Sequence, residues 1–188
     1  MAMWREVLDE IGGLERVGHV LAEDHVLGRM FLDAGYEVGT SLDIIENRNI
    51  DCTIARTLER HTRWAKMRRA IVPLAFICEP LLCPMLIATI AAIAFRSREA
   101  VLALAFTVVF QTILSHLALR VLRGHALRWY WAPLEIVRSY LVFFCWMRAL
   151  LSRRIRWRGH PFLVKRDSVI VPAPPSSWSK LRAAVRVS

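Results

Sequence analysis

Two groups of residues could carry chemistry in this sequence. The first lies in "LAEDHVLGRMFLDAG", where Glu23, Asp24 and His25 are consecutive. A carboxylate within hydrogen-bond reach of a hydroxyl can act as a general base. The same carboxylate in the first turn of a helix can instead just complement the helix dipole, worth roughly 0.3–1 kcal/mol. The second group is "RHTRW", Arg60 to Trp64, inside the basic run "RTLERHTRWAKMRRA". Arg60 and Arg63 are three residues apart, so on a helix they share a face. Guanidinium forks match phosphate oxygens, and a neighbouring Trp64 can stack on a sugar or position an acceptor. The plainer reading makes the same residues the polar face and aromatic anchor of a helix lying on a membrane. Glu79 is a further candidate because it is the single charge in "IVPLAFICEPLLCPMLIATIAAIAF". A carboxylate there must face protein, water or a ligand rather than lipid.

Metal chemistry is not expected from this chain. His19 and His25 stand at no ligand spacing to another His or Cys, and Cys52, Cys78, Cys83 and Cys145 form no C-x-x-C pair. The thiols read as buried and reduced.

The elements that must position these residues are legible in part. "WREVLDEI" places Val7, Leu8 and Ile11 at helical spacing, and Gly12-Gly13 suits its C-terminal cap. A second helix begins near Glu23 and Asp24, buries Val26, Leu27, Met30 and Phe31 on one face, and ends at Gly35. "YEVGTSLDIIEN" suits one or two strands. Residues 53–70 form a basic helix with Ile54, Leu58, His61 and Ala65 on its apolar stripe.

From Ile71 onward the character changes. Residues 71–95, 101–120 and 131–151 are apolar segments, of which the first two are long enough to cross a bilayer core of about 30 Å. The third carries Glu135, Arg138 and Arg148, which should face protein. Pro73, Pro80 and Pro84 crowd the first segment and predict a kink or a re-entrant path. Composition agrees with a membrane protein: 55% of residues are hydrophobic, and the mean hydropathy is +0.36. The net charge is +10, with nine Lys or Arg against Asp167 alone from Arg153 onward. Basic runs beside apolar spans mark the cytoplasmic face. Three full crossings would separate the two basic regions, so one segment is expected to be re-entrant, and 71–90 is the first suspect. No nucleic-acid partner is expected, because no binding motif accompanies the charge. The N-terminus has acids and no continuous apolar core, so it is not a signal peptide. Residues 152–188 read as a basic cytoplasmic tail: an alternating stretch "IRWRGHPFLVKRDSVIV", a Pro/Ser linker "PAPPSSWSK" and a weak basic helix at the end.

Arg60 follows Asp24 by 36 residues, and the membrane segments come next. This order of an acidic pair, R-x-x-R-W and membrane segments resembles the membrane-embedded glycosyltransferases with a GT-A catalytic domain. "REVLDEIGGL", "LAEDHVLGRMFLDAGYEV", "RHTRWAKMRR", "ICEP" and, more loosely, "IRWRGHPFLV" are most similar to the ceramide glucosyltransferases of glycosyltransferase family 21 and the related bacterial hopanoid glycosyltransferases. The resemblance implies an α/β remnant of a GT-A (Rossmann-like) domain in residues 1–52, an interfacial helix in 53–70, and a helical multi-pass region in 71–151. It implies a bacterial inner-membrane enzyme with its catalytic part cytoplasmic. Such an enzyme would transfer a hexose, glucose by the closest likeness, from a UDP-sugar to the primary hydroxyl of ceramide or a hopanoid. Asp24 would be the base. Arg60, Arg63 and Trp64 would hold the leaving group and line the acceptor opening. Glu23, His25 and Glu79 are candidates for the acceptor side. The family's D-x-D motif for Mg or Mn, and its nucleotide-binding half, match nothing here. The chain is therefore expected to be the C-terminal part of such an enzyme, partnered by the missing N-terminal half and inactive by itself. A non-catalytic membrane anchor or assembly subunit is the competing class.

Overall fold

The computed structural model describes residues 2–40, 52–124, 128–157 and 159–174. Contacts divide the chain into two compact units, Met1–Val38 with Ser152–Ser188, and Gly39–Leu151.

In the first unit, α1 (Arg5–Glu10) ends where the glycines predicted. Gly12 N–H donates to Asp9 and Gly13 N–H to Leu8, with Gly12 at φ 103, the paired bonds of a Schellman cap. A β-carbon on Gly12 would sit 2.5 Å from Arg16 Cδ. Helix α2 (Glu23–Asp33) closes the same way: Gly35 donates to Leu32, Tyr36 donates to Phe31, and the two rings meet edge-on at 6.1 Å. Leu27 and Phe31 of the expected apolar face are buried.

The alternating stretch after residue 152 forms an antiparallel sheet. Strands β1 (Arg154–Trp157), β2 (His160–Val164) and β3 (Ile170–Pro172) follow in sequence order, with Ile155 opposite Phe162 and Leu163 opposite Val171. This sheet is not a detached tail. Val169 bridges Val20, Leu21 N–H donates to the Ser168 carbonyl, and Ile170 N–H donates to His19. The alternating spacing allowed a short strand here, and strands were also expected in "YEVGTSLDIIEN". Residues 36–40 form none, and 41–47 lie outside the described residues, as do most of the Pro/Ser linker and the C-terminal basic helix.

The second unit is helical. Thr53 caps α3 (Ile54–Ile71) by accepting from Arg56 N–H at 3.2 Å. Pro73 ends α3 and opens α4 (Pro73–Cys78). A tight turn at Glu79–Leu82 follows, and Pro84 opens α5 (Pro84–Phe95). The prolines thus cut the first apolar segment, and its two halves are bent by 63°. Helix α6 (Arg98–Arg123) is capped by Ser97 and Gly124. It has a mean hydropathy of 1.9 over its most apolar stretch, has no buried residue, and is long and apolar enough to cross a membrane. Helix α7 (Ala132–Leu151) is 20 residues long, and its Glu135, Arg138 and Arg148 leave it too charged for that description. Of the three charges expected to face protein, Glu135 is buried, whereas Arg138 and Arg148 are exposed.

Small residues let α3, α4 and α7 approach closely. Ala65, Phe76 and Ala149 form a buried cluster, and the Trp146 ring stacks on Phe76 at 5.4 Å. Such a ring pair is worth about 0.5–1.5 kcal/mol beyond its buried area. Trp146 Nε1 also donates to the Phe76 carbonyl at 2.7 Å. Arg69 donates to the carbonyls of Ala149 and Leu150, which places a cation at the negative end of α7.

Candidate active site

Asp24 sits in the first turn of α2 and is exposed, as are Glu23 and His25. Its Oδ1 accepts from the His25 backbone N–H at 2.8 Å, which leaves Oδ2 available to a proton. The start of this helix is fixed from a distance. Ala22 has no capping side chain of its own, but its N–H donates to Ser168 Oγ at 3.2 Å, and Ser168 is fully buried. The β3 side of the sheet thereby holds the backbone two residues before Asp24.

Asp24 and the arginine motif belong to different units. On α3, Arg60 and Arg63 are half-buried and Trp64 is 43% exposed. The Arg60 guanidinium lies 5.7 Å from the Trp64 ring centre, and the His61 ring meets Trp64 edge-on at 5.3 Å. Arg60 and Trp64 are thus brought together, with His61 packed on the same ring. Arg60 also donates to Cys52 Sγ at 3.7 Å. Burial pushes the His61 imidazole below its ordinary value, and the guanidiniums of Arg60, Arg68 and Arg138 push it the same way. Burial likewise lowers Lys66, with Arg148 and Arg69 adding to the effect. Of the stripe expected at Ile54, Leu58, His61 and Ala65, Ala65 is in the core, Leu58 and His61 are half-buried against a cavity lined by α6 and α7, and Ile54 lines the same cavity but is 74% exposed.

Glu79 is held by its own neighbour. Arg68 Nε and Nη2 grip its two oxygens at 2.5 and 3.0 Å, a two-pronged pair that ties the turn after α4 back to α3. All four cysteines are free thiols. Burial was expected of all four, but only Cys145 is buried, with its thiol toward the Leu58 carbonyl; Cys52 and Cys83 are half-buried and Cys78 is exposed. Among the described residues no group of three His, Cys, Asp or Glu side chains could hold a metal ion.

Residue-by-residue reading missed the cavity's polar lining. It includes Thr57 and His61 of α3, His116 and Arg123 of α6, and Glu135 and Arg138 of α7. One signal was available: Gln111, Ser115 and His116 share one side of an otherwise apolar segment, and polar groups there face protein or ligand.

The description "Glycosyl transferase family 21" matches residues 1–170, which takes in α1, α2 with Asp24, the R-x-x-R-W helix and most of the sheet. The chain belongs to glycosyltransferase family 21. Among curated relatives of this family-21 chain, "Ceramide glucosyltransferase 3" of Caenorhabditis elegans is 35% identical over 79 residues, 42% of this chain and 17% of that protein. "Ceramide glucosyltransferase 1" of the same organism is 32% identical over 79 residues, with the same coverage. The matched stretch thus spans about one sixth of these relatives' length. No solved structure matches the chain.

Proposed function

We propose that this chain supplies the acceptor and leaving-group side of a membrane lipid glycosyltransferase, which moves a hexose from a UDP-sugar to the primary hydroxyl of a ceramide-like lipid. The family match across residues 1–170 carries this reading. The lipid acceptor draws support from the relatives' names and from the helices that follow α3, whose large apolar side chains, Leu102, Phe106, Val109 and Phe110 among them, are exposed. On this reading α3 lies on the cytoplasmic face of a bilayer, and a lipid presents its head group laterally.

In the reaction, Asp24 takes the proton of the lipid hydroxyl on its free oxygen. The hydroxyl oxygen bonds to C1 of the sugar, and the bond from C1 to the diphosphate oxygen breaks with inversion. The electron pair leaves with UDP, and Arg60 and Arg63 offset the growing negative charge. Trp64 lines the acceptor opening. The divalent metal that the family pattern puts on the diphosphate finds no D-x-D in this sequence and no cluster among the described residues, so no step is routed through it. The nucleotide site is assigned outside these residues.

That division of labour is tested by incubating membranes containing the chain alone with UDP-glucose and ceramide. The expected result is no transfer. Robust transfer would overturn the division.

A further inference from the structure

We propose that the turn before α7, Arg128 to Trp131, together with Arg120 and Arg123 of α6, binds a phospholipid whose headgroup carries a net negative charge. This lipid is separate from the acceptor, and all its contacts lie within the second unit. The three arginines are exposed, and the sequence from Ala100 to Leu134 contains no acid. Glu135, the next carboxylate, is already held by Arg138 and Gln111. Arg120 and Arg123 have a structural reason to be there, since cations suit the negative end of the α6 dipole. Arg128 has none. It lies four residues before Ala132, at the positive end of the 20-residue α7, where a cation is disfavoured and an anion is favoured.

The turn is an ordered platform. Trp131 N–H donates to the Arg128 carbonyl at 3.0 Å. Arg128 Nη1 donates to Tyr130 Oη at 3.2 Å, with the guanidinium 5.9 Å from that ring's centre. Tyr130 meets Trp129 edge-on at 6.4 Å and Trp131 at 5.4 Å. Trp129 is 84% exposed, more than any other large hydrophobic side chain among the described residues. Tryptophan and tyrosine settle at the headgroup level of a bilayer, and guanidinium forks match phosphate oxygens. Helix α6 has 26 residues, about 39 Å, so when it crosses a core of about 30 Å its last turn reaches that level. Leu114, Leu117 and Val121 form an exposed stripe leading back from this end along α6. A lipid with its acyl chains on the stripe and its phosphate at the arginines covers both surfaces. A free phosphate would leave Trp129 and the stripe bare. A zwitterionic headgroup would add an ammonium, and residues 100–134 offer it no carboxylate.

The test uses the whole 188-residue chain in phosphatidylcholine nanodiscs. They are doped with a phosphatidylglycerol bearing a diazirine close to its headgroup, and cross-linked residues are located by mass spectrometry. Label is expected on residues 120–124 and 128–131. Unlabelled phosphatidylglycerol should displace it, while added phosphatidylcholine, or inorganic phosphate at constant ionic strength, should not. Arg128→Gln should cut label at this turn roughly five-fold, the effect of one basic residue beside an anionic surface, and leave label on Arg153 to Arg156 unchanged. Arg128→Lys keeps the charge and should retain most of the label. Equal displacement by phosphatidylcholine, displacement by inorganic phosphate, or equal loss in Arg128→Lys and Arg128→Gln would each overturn the proposal. So would an unlabelled turn in a chain labelled on its basic tail, including one covered by a second copy in the same disc. No readout involves sugar transfer, so failure here leaves the proposed reaction standing, and failure of that reaction leaves this site standing.

Discussion

One Asp24 carboxylate oxygen accepts from the His25 N–H, and on the proposed mechanism the other takes the lipid hydroxyl's proton. In a family-21 enzyme carrying these residues, Asp24→Asn should lower kcat by about 10²–10⁴-fold, the usual worth of a positioned base, and leave nucleotide affinity nearly unchanged. Unaltered turnover would remove Asp24 from that role. His61 offers a second test. Its folded-state value is held below 6.5, so below that pH the unfolded chain binds the proton first. Stability should therefore fall as pH drops through 6.5 toward the folded value, and be restored above it. Melting followed by tryptophan fluorescence in detergent, from about pH 8 to about pH 5, should show a shallower decline in His61→Gln than in the parent. Equal slopes would contradict the burial argument. That Arg60 and Trp64 are neighbours was legible because R-x-x-R-W is a local pattern on one helix. The bonds from Gln111 to Glu135 and Ser139 were not, because they depend on how α6 and α7 pack.

The same division between local and distant shows at the level of elements. Helices α1 and α2 follow from apolar spacing and glycine caps, and α3 from a basic run with an apolar stripe. The breaks at Pro73 and Pro84 follow from missing backbone donors. The partner of residues 19–22 could not be read locally, because Ser168 and Ile170 lie about 150 residues further along. A stretch that reads as a cytoplasmic tail is in fact what fixes the start of the helix bearing Asp24. Ser168→Ala should leave the buried Ala22 N–H without its acceptor and cost about 1–3 kcal/mol. Hydrogen exchange should rise at residues 20–26 more than in β1. Exchange unchanged at α2 would show that the sheet does not hold it. Gly12→Ala should cost about 1 kcal/mol or more in thermal unfolding, since it forces a side chain onto a φ of 103° and against Arg16.

For the whole molecule, the bend of 63° within the first apolar segment bears on membrane topology. On the proposed topology, in which α7 crosses despite its three charges and the first segment is re-entrant, two crossings remain, the parity that both basic regions require. It also keeps Arg96 and Arg98, at the start of α6, on the cytoplasmic side. A cysteine placed at Arg98 should react with an impermeant maleimide from the same face as one placed at the exposed Glu59. Reaction from the opposite face would make 71–95 a full span. The central claim is that these residues work on a lipid acceptor, and it is tested most directly by a chimera. Residues 1–170 replace the corresponding region of a ceramide glucosyltransferase, and glucose transfer from UDP-glucose to ceramide is measured in membranes. The chimera should make glucosylceramide and lose that activity with Asp24→Asn. A well-expressed, membrane-inserted chimera that makes none would contradict the account and favour a non-catalytic membrane subunit.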